Sequence, residues 1–160
     1  MRTQTKTMRK EGWLGMGLKF YIASAWGNKA QVRELAGRLI AAGGVWTFDW
    51  TRLEKSGCQT FAAACEINAV READIVFVLL PGGLGTHTEM GAALALGKKV
   101  YLYAEDRNLI YDESGLPQCV FYEHPGITMR FSQLPFDEFA GIVTRIVAED
   151  AQGGRRECVS

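Results

Sequence analysis

The sequence predicts an α/β domain in which a parallel sheet of five strands is covered by helices on both faces. Short apolar runs alternate along the 160 residues with longer stretches whose apolar side chains recur at helical spacing. The run over residues 75–80 is continuously apolar, which is typical of a strand buried on both faces of a parallel sheet. A glycine-rich turn follows this strand, and open α/β sheets bind ligands in such turns.

The start of the chain predicts a strand, a helix and a second strand. Residues 18–23 form the first strand. The helix after it places five apolar residues on one face: Val32, Leu35, Ala36, Leu39 and Ile40. Gly43 and Gly44 end this helix, and residues 45–48 form the second strand. The chain therefore opens with a β-α-β unit.

A polar loop and a second helix connect this unit to the central segment. The loop covers residues 49–59, and the helix covers residues 60–73. The third strand breaks at Pro81-Gly82-Gly83. The next helix begins at Gly85-Thr86 and is closed by Gly97. The central segment is therefore a strand, a glycine turn and a helix.

Two further strands and a last helix complete the predicted sheet. Residues 100–103 form the fourth strand and residues 127–131 the fifth. Pro135 then opens a helix with apolar residues on one face: Phe139, Ile142, Val143, Ile146 and Val147. Right-handed crossovers make a doubly wound, flavodoxin-like or Rossmann-like sheet of order 2-1-3-4-5 the simplest topology. Its switch point lies between strands 1 and 3, where the loops after both strands meet.

The domain organisation follows from these elements. We expect residues 18–150 to form a single α/β domain, residues 1–17 a loosely ordered N-terminal extension, and residues 151–160 a frayed tail. The chain has no domain linker and no internal repeat.

Composition excludes several classes of function. Eighteen basic and eighteen acidic residues give a formal net charge of zero, so nothing favours nucleic-acid binding. The sequence shows no apolar stretch that would span a membrane and no secretory signal. Two histidines and four cysteines without metal-ligand spacing predict no metal site. We therefore expect a cytoplasmic protein with reduced thiols and no cofactor.

Glu89 is the residue of the central segment most suited to chemistry. Thr86-x-x-Glu89 matches a capping box, in which the glutamate only satisfies amides in the first turn of the helix. Alternatively, those amides hold the carboxylate ionised, which suits a nucleophile. The turn PGGLG contains more glycine than a cap needs, which favours close approach of a ligand. It lacks the GK[ST] and GxGxxG patterns of nucleotide cofactor sites but can still hold a phosphate.

Several segments together resemble a known family. Tyr21 in KFYIAS, Glu66 and Asp74 in CEINAVREAD, and the segment GTHTEMGAALALGKKV are similar to the nucleoside 2-deoxyribosyltransferases and the related deoxynucleoside 5'-monophosphate N-glycosidases. PGGLGTHTE also fits the PGGxGTxxE signature of the cytokinin-activating phosphoribohydrolases, but the other marks of that family are absent. The first family is therefore favoured.

The resemblance implies a reaction and roles for particular residues. Glu89 matches the nucleophile that attacks C1' of the sugar and forms a covalent glycosyl-enzyme, and Tyr21 matches a tyrosine that orients it. The sugar then passes to another free base, or to water in the 5'-monophosphate N-glycosidases. Family members form homo-oligomers with shared sites, to which the loop with Asn108, Tyr111 and Ser114 would contribute.

Substrate binding is expected to involve ten residues: Ser24, Trp26, Asp49, Glu66, Pro81, Gly82, Gly83, Gly85, Thr86 and His87. Residues 81–83 lack the aspartate that the family places there, so protonation of the base falls to Asp49, Glu66 or His124. An acid-free loop tolerates a 5'-phosphate, which keeps the N-glycosidases as the alternative. Trp26 and Trp50 either stack on a base or pack in the core. A non-catalytic nucleotide-binding domain is the third alternative.

Overall fold

The computed structural model describes residues 17–156, the last three by their backbone alone. It contains one parallel sheet of order β2-β1-β3-β4-β5, which confirms the predicted fold class and topology. The strands are β1 (Lys19–Ser24), β2 (Val45–Trp46), β3 (Ile75–Leu79), β4 (Lys99–Ala104) and β5 (Ile127–Ser132). The helices are α1 (Lys29–Ala41), α2 (Gln59–Glu72), α3 (Leu84–Ala95) and α4 (Phe136–Arg156).

The three central strands end level with one another. In the register between β1 and β3, Phe20 lies opposite Ile75 and Ser24 lies opposite Leu79. In the register between β3 and β4, Leu79 lies opposite Tyr103. The loops that leave β1 and β3 therefore emerge side by side at the carboxyl edge of the sheet, where the order of strands reverses.

β2 is shorter than the predicted strand over residues 45–48. The backbone bends after Trp46, although the amide of Thr47 still donates a hydrogen bond to the carbonyl oxygen of Phe20 over 2.9 Å. Asp49 then accepts a hydrogen bond from the amide of Thr51 and begins a 3₁₀ turn. An edge strand is paired on one side only, so a local side-chain bond of this kind readily ends it.

The helices cover the sheet in two pairs, since α1 packs beside α4 and α2 packs beside α3. Apolar side chains from both layers fill the interior, as the helical spacing of the sequence predicts. Near β4 and β5 this core is aromatic: the ring of Tyr103 stacks on that of Phe139 with centroids 4.2 Å apart, and Phe131 meets Phe139 edge to face.

The end of α3 shows why glycine follows it. Leu96 caps the helix, and Gly97 takes a φ of +66°, the left-handed conformation that side chains disfavour. The prediction that Gly97 closes this helix is confirmed, and β4 begins two residues later at Lys99.

The structure describes only part of the two terminal segments that the sequence predicts. Residues 1–16 of the predicted extension and residues 157–160 of the predicted tail lie outside the described residues. α4 runs past Asp150 to Arg156, so helix extends into the segment predicted as tail. Within residues 17–156, no helix has the length and apolar character needed to cross a membrane.

Candidate active site

Glu89 lies on the face of α3 that packs against the sheet. The buried residues of this helix share one face: Thr86, Glu89, Met90 and Ala93. Glu89 is the titratable member of this set, and only 6% of its surface is exposed. A carboxyl so withdrawn from water requires hydrogen-bond partners within the protein.

The prediction that Glu89 lies in the first helical turn, as a cap, is wrong. α3 begins at Leu84, which places Glu89 in the second turn. Thr86 closes the first turn instead, because its hydroxyl oxygen accepts a hydrogen bond from the amide of Gly83 over 3.1 Å. The carbonyl of Gly83 already accepts from the amide of His87, so the helix starts earlier than Gly85. Glu89 is therefore free for a role other than capping.

Tyr21 is the first partner of Glu89. Its hydroxyl donates a hydrogen bond of 2.6 Å to Oε1 of Glu89, across 68 residues of sequence. Tyr21 belongs to the central strand β1 and is completely buried. Burial, followed by the charge of Glu89, raises the pKa of Tyr21 far above its ordinary value. The hydroxyl therefore keeps its proton and acts as a fixed donor.

Glu66 on α2 is the second partner, since its carboxyl is in hydrogen-bond contact with that of Glu89. Burial, the largest effect, and the neighbouring Glu66 together raise the pKa of Glu89 to about 8, although the hydrogen bond from Tyr21 lowers it. Burial also raises the pKa of the half-buried Glu66, whereas its hydrogen bond with Glu89 lowers it. The pair therefore holds a proton more tightly than free glutamate does, and the deeper burial of Glu89 favours that proton on Glu89.

The expectation that helix amides keep Glu89 ionised is therefore wrong. The effect of a helix N-terminus falls off within the first turn, and Glu89 lies beyond it. Loss of hydration dominates at this depth. The carboxyl must pass its proton to a neighbour before it can act as a nucleophile.

A cavity of about 180 Å³ opens beside the two carboxyls at the carboxyl edge of β1 and β3. This is the predicted switch point. The residues that line it are Ser24, Ala25, Trp26, Trp50, Glu66, Gly83, Gly85, Thr86 and Glu89. Ligand sites commonly measure about 300–1,000 Å³. The cavity therefore has room for a compact group such as a pentose rather than for a whole nucleoside.

Two tryptophans form the aromatic wall of this cavity. Trp50 is buried, and its Nε1 donates a hydrogen bond of 2.7 Å to the carbonyl of Ile22, which fixes the ring. Trp26 is 38% exposed, with its ring centroid 6.1 Å from that of Trp50. The ammonium of Lys29 lies 3.4 Å from the centroid of Trp26, and that of Lys55 lies 5.6 Å from it. The outer part of the wall is therefore positively charged.

The glycines of the turn have different roles. A Cβ at Gly82 would lie 2.7 Å from Cγ2 of Thr86, closer than side chains approach, so this position requires glycine. A Cβ at Gly83 or Gly85 would meet nothing within 4 Å, and both residues line the cavity. The absence of side chains there leaves the cavity open to a ligand.

Four of the residues predicted to bind substrate do not line the cavity: Asp49, Pro81, Gly82 and His87. Asp49 has both carboxylate oxygens engaged, Oδ1 by Thr51 and Oδ2 by Arg52 over 2.9 Å. It begins the 3₁₀ turn that carries Trp50. His124 is also remote, and its Nδ1 accepts a hydrogen bond from Gly126. Of the three candidates for base protonation, the structure brings only Glu66 to Glu89.

The lining of the cavity includes residues that were not among those predicted to bind substrate. Ala25 was not singled out, and Trp50 was considered only for stacking. Ala25 directly follows β1, and Trp50 lies in the 3₁₀ turn after β2, so both belong to loops at the edge where parallel sheets bind ligands. Their position in the loops after the strands was the feature of the sequence that could have identified these two residues.

A larger depression of about 560 Å³ lies at the opposite edge of the sheet. Its lining includes Leu18, Asp74 and Lys99, which stand at the amino ends of β1, β3 and β4. The buried carboxyl pair and the switch point are both absent from this edge, so we place the candidate site in the smaller cavity. Among residues 17–156, no group of three or more His, Cys, Asp and Glu side chains is arranged to hold a metal ion.

The fold and this cavity define an α/β protein with a buried carboxyl pair at a sheet switch point. The family model for nucleoside 2-deoxyribosyltransferase matches residues 20–129, more than half of the chain. The chain therefore belongs to the nucleoside 2-deoxyribosyltransferase family, as the sequence motifs predicted. Membership of this family points to an enzyme that cleaves the N-glycosidic bond of a nucleoside or nucleotide.

Solved structures share the fold at low sequence identity. A CMP N-glycosidase from Clostridium botulinum, BcmB, is 18% identical with a TM-score of 0.57, over 78% of this chain and 97% of that one. A 2-deoxyribosyltransferase from Bacillus psychrosaccharolyticus is 20% identical with a TM-score of 0.53, over 76% and 90%. BlsM is 13% identical with a TM-score of 0.62, over 84% and 92%. No functionally curated protein matches the sequence significantly.

The shared proton predicts how stability depends on pH. The folded state binds a proton at Glu89 with a pKa of about 8, against an ordinary value of 4.5. This group therefore stabilises the fold fully below pH 4.5, and the contribution is lost as pH rises towards 8, with a slope of at most about 1.4 kcal/mol per pH unit. Urea unfolding across this window is expected to show Glu89→Gln, which cannot ionise, with a flatter profile than the wild type.

The exposed Glu149 supplies the control, because Glu149→Gln is expected to keep the slope of the wild type. Equal slopes for the wild type and Glu89→Gln would contradict a buried, protonated carboxyl at this position.

Proposed function

We propose that this protein cleaves the N-glycosidic bond of a nucleoside through a covalent bond to Glu89 and transfers the 2-deoxyribosyl group to another base. The observation that carries the proposal is the pair formed by the buried Glu89 and the half-buried Glu66, with Tyr21 as donor, at the wall of a pentose-sized cavity. A non-catalytic binding domain has no need of two carboxyls that share a proton, because their burial is unfavourable.

The first step requires both carboxyls. On substrate binding the shared proton moves from Glu89 to Glu66, which leaves Glu89 ionised. An oxygen of Glu89 attacks C1' as the bond from C1' to the base nitrogen breaks, and the electron pair of that bond leaves with the base. Glu66 gives its proton to the departing base. Nucleophile and acid thus act together, by the logic of a retaining glycosidase.

The second step is the reverse with a new base. A ring nitrogen of the acceptor attacks C1' of the glycosyl-enzyme, and its proton passes to Glu66. The bond between Glu89 and C1' breaks, with its electron pair on the carboxylate. The carboxyl pair again holds one proton, so the cycle is complete without any other reactant.

Tyr21 has an orienting role in both steps. Its hydroxyl donates to Oε1 of Glu89 at 2.6 Å, so it stabilises the carboxylate whenever Glu89 is not bonded to the sugar. We expect attack on C1' from Oε2 of Glu89, once Glu66 has taken the proton. We expect the sugar to occupy the cavity and the base to lie at its mouth against Trp26 and Trp50.

Chromatography of reactions with nucleosides and nucleoside 5'-monophosphates, with and without an acceptor base, tests the proposal. New nucleoside is expected only when acceptor is present. Glu89→Gln is expected to lower turnover by at least about a thousandfold, because the nucleophile is lost. Glu66→Gln is expected to lower it about 10²–10⁴-fold, because the base leaves without a proton.

Glu149→Gln is the matched control and is expected to retain full activity. Normal turnover by Glu89→Gln would contradict the mechanism. A wild-type protein that yields no product with any member of the panel would contradict enzymatic function and support a non-catalytic binding domain.

A second candidate function is hydrolysis of nucleoside 5'-monophosphates, in which water replaces the acceptor base. Residues 81–83 carry no acid that would repel a phosphate. Lys29 and Lys55 lie over Trp26 at the wall of the cavity, and among the described residues neither forms an ion pair. The structural neighbour described as a CMP N-glycosidase has the same fold. Free base released from monophosphates without acceptor would favour this candidate.

Replacement of Lys29 tests this second candidate separately. If the lysine meets a 5'-phosphate, Lys29→Ala is expected to raise KM for a monophosphate about fivefold and to leave KM for the matching nucleoside unchanged. Lys99→Ala, an exposed lysine at the opposite edge of the sheet, is the control. Equal changes in KM for both substrates would contradict a phosphate contact at Lys29.

We also propose a homo-oligomer with shared sites, as the family resemblance implies. The connection between β4 and β5 contains only short 3₁₀ turns, and Leu116, Val120 and Phe121 expose apolar side chains on it. Tyr111 of this connection donates to Glu123 of the same chain over 2.5 Å. The exposed apolar surface supports contact with a second copy.

A further inference from the structure

The glycine loop, residues 81–83, is bound on one side by Asn28. Nδ2 of Asn28 donates to the carbonyl oxygen of Pro81 over 3.3 Å and to the hydroxyl of Ser24 over 2.9 Å. Ser24 in turn donates to the carbonyl of Leu79 over 2.8 Å. An amide nitrogen has two protons, so Asn28 uses both of them here. The ends of β1 and β3 are thereby joined to the loop.

His87 binds the loop on its other side. Nδ1 of His87 lies 2.7 Å from the carbonyl oxygen of Gly83, and Nε2 lies 2.7 Å from the hydroxyl of Tyr122. A carbonyl oxygen can only accept, so Nδ1 must carry the proton and donate it. In the neutral ring Nε2 is then an acceptor, and the Tyr122 hydroxyl donates to it. Both ring nitrogens are engaged within the protein, which leaves His87 no free nitrogen for a substrate.

The two carbonyls that accept these hydrogen bonds, those of Pro81 and Gly83, belong to the residues on either side of Gly82. The amide of Gly83 is also held, because it donates to the hydroxyl oxygen of Thr86. Pro81 and Gly82 do not line the cavity, whereas Gly83 and Thr86 do. The shape of this wall therefore depends on hydrogen bonds from side chains that do not themselves line the cavity.

We propose that Asn28 and His87 are positioning residues, which hold the glycine loop in the conformation that binds the sugar of the substrate. This inference rests on the proposed function for the identity of the ligand. A loop held in its binding conformation before the substrate arrives loses less conformational freedom on binding. Neither residue touches the reacting atoms, so their effect falls on substrate affinity and not on the chemical step.

Kinetics of two variants test this. Asn28→Asp keeps the shape of the side chain but cannot donate to Pro81, and His87→Leu loses both contacts. Each variant is expected to raise KM about tenfold, because it loses a hydrogen bond that holds the loop in order. The value of kcat is expected to stay within about twofold. His87→Asn is expected to restore most of the wild-type KM, because the asparagine amide can place a donor where Nδ1 stands.

Asn68→Asp, an exposed asparagine on α2, is the matched control and is expected to leave KM unchanged. Asn28→Ala provides a second variant at this position if Asn28→Asp does not fold. A loss confined to kcat, or a KM for His87→Asn as high as that of His87→Leu, would overturn the proposal.

Hydrogen exchange of the full chain separates this inference from the proposed function. Amides of residues 82–86 are expected to exchange faster in Asn28→Asp and His87→Leu than in the wild type and in Asn68→Asp. This result is expected whether or not any nucleoside is cleaved. Unchanged exchange in both variants would overturn the positioning role, while faster exchange in a protein without activity would leave it standing and reject only the proposed function.

Discussion

The burial of one carboxyl, that of Glu89, is the constraint on which the site depends. Desolvation makes its ionised form unfavourable, so the folded protein retains a proton that free glutamate would release at neutral pH. Tyr21 partly offsets this through a hydrogen bond, and Glu66 supplies a second position for the proton. In the proposed mechanism, a nucleophile and the acid that complements it arise from a single shared proton. Burial and the neighbouring Glu66 raise the pKa of Glu89, whereas the hydrogen bond with Glu89 lowers that of Glu66, so the two carboxyls differ in how tightly they hold a proton.

The order of strands makes this arrangement possible. β1 and β3 are neighbours although two helices and a strand separate them in sequence, so Tyr21 on β1 lies beneath the helix that follows β3. α2 and α3 pack side by side on the same face, which brings Glu66 to Glu89. Because α3 begins directly after the glycine turn, Glu89 falls on the face of the helix that packs against the sheet. The fold thus brings the site together through two contacts, that of Tyr21 with Glu89 and that of Glu66 with Glu89.

The fold was predictable because apolar periodicity is a local signal, and the order 2-1-3-4-5 follows once five strands alternate with helices. Partnership between Tyr21 and Glu89 was expected only through family resemblance, since nothing in the local sequence relates them. The protonation of Glu89 was not predictable from the sequence. Thr86-x-x-Glu89 matches a capping box, which would place Glu89 in the first helical turn with its carboxylate ionised. A helix that starts one or two residues earlier moves Glu89 into the buried second turn instead. His87 looked like a ligand for substrate, yet both its nitrogens are engaged by groups brought together only in the folded chain.

The central claim is that Glu89 forms a covalent bond with the sugar. The most direct test is to quench the protein with acid during turnover and to examine its peptides by mass spectrometry. The peptide containing Glu89 is expected to gain the mass of the sugar without its base, whether the acceptor is a base or water. A sugar found on Glu66 instead, or turnover with no adduct on any carboxyl, would contradict the claim.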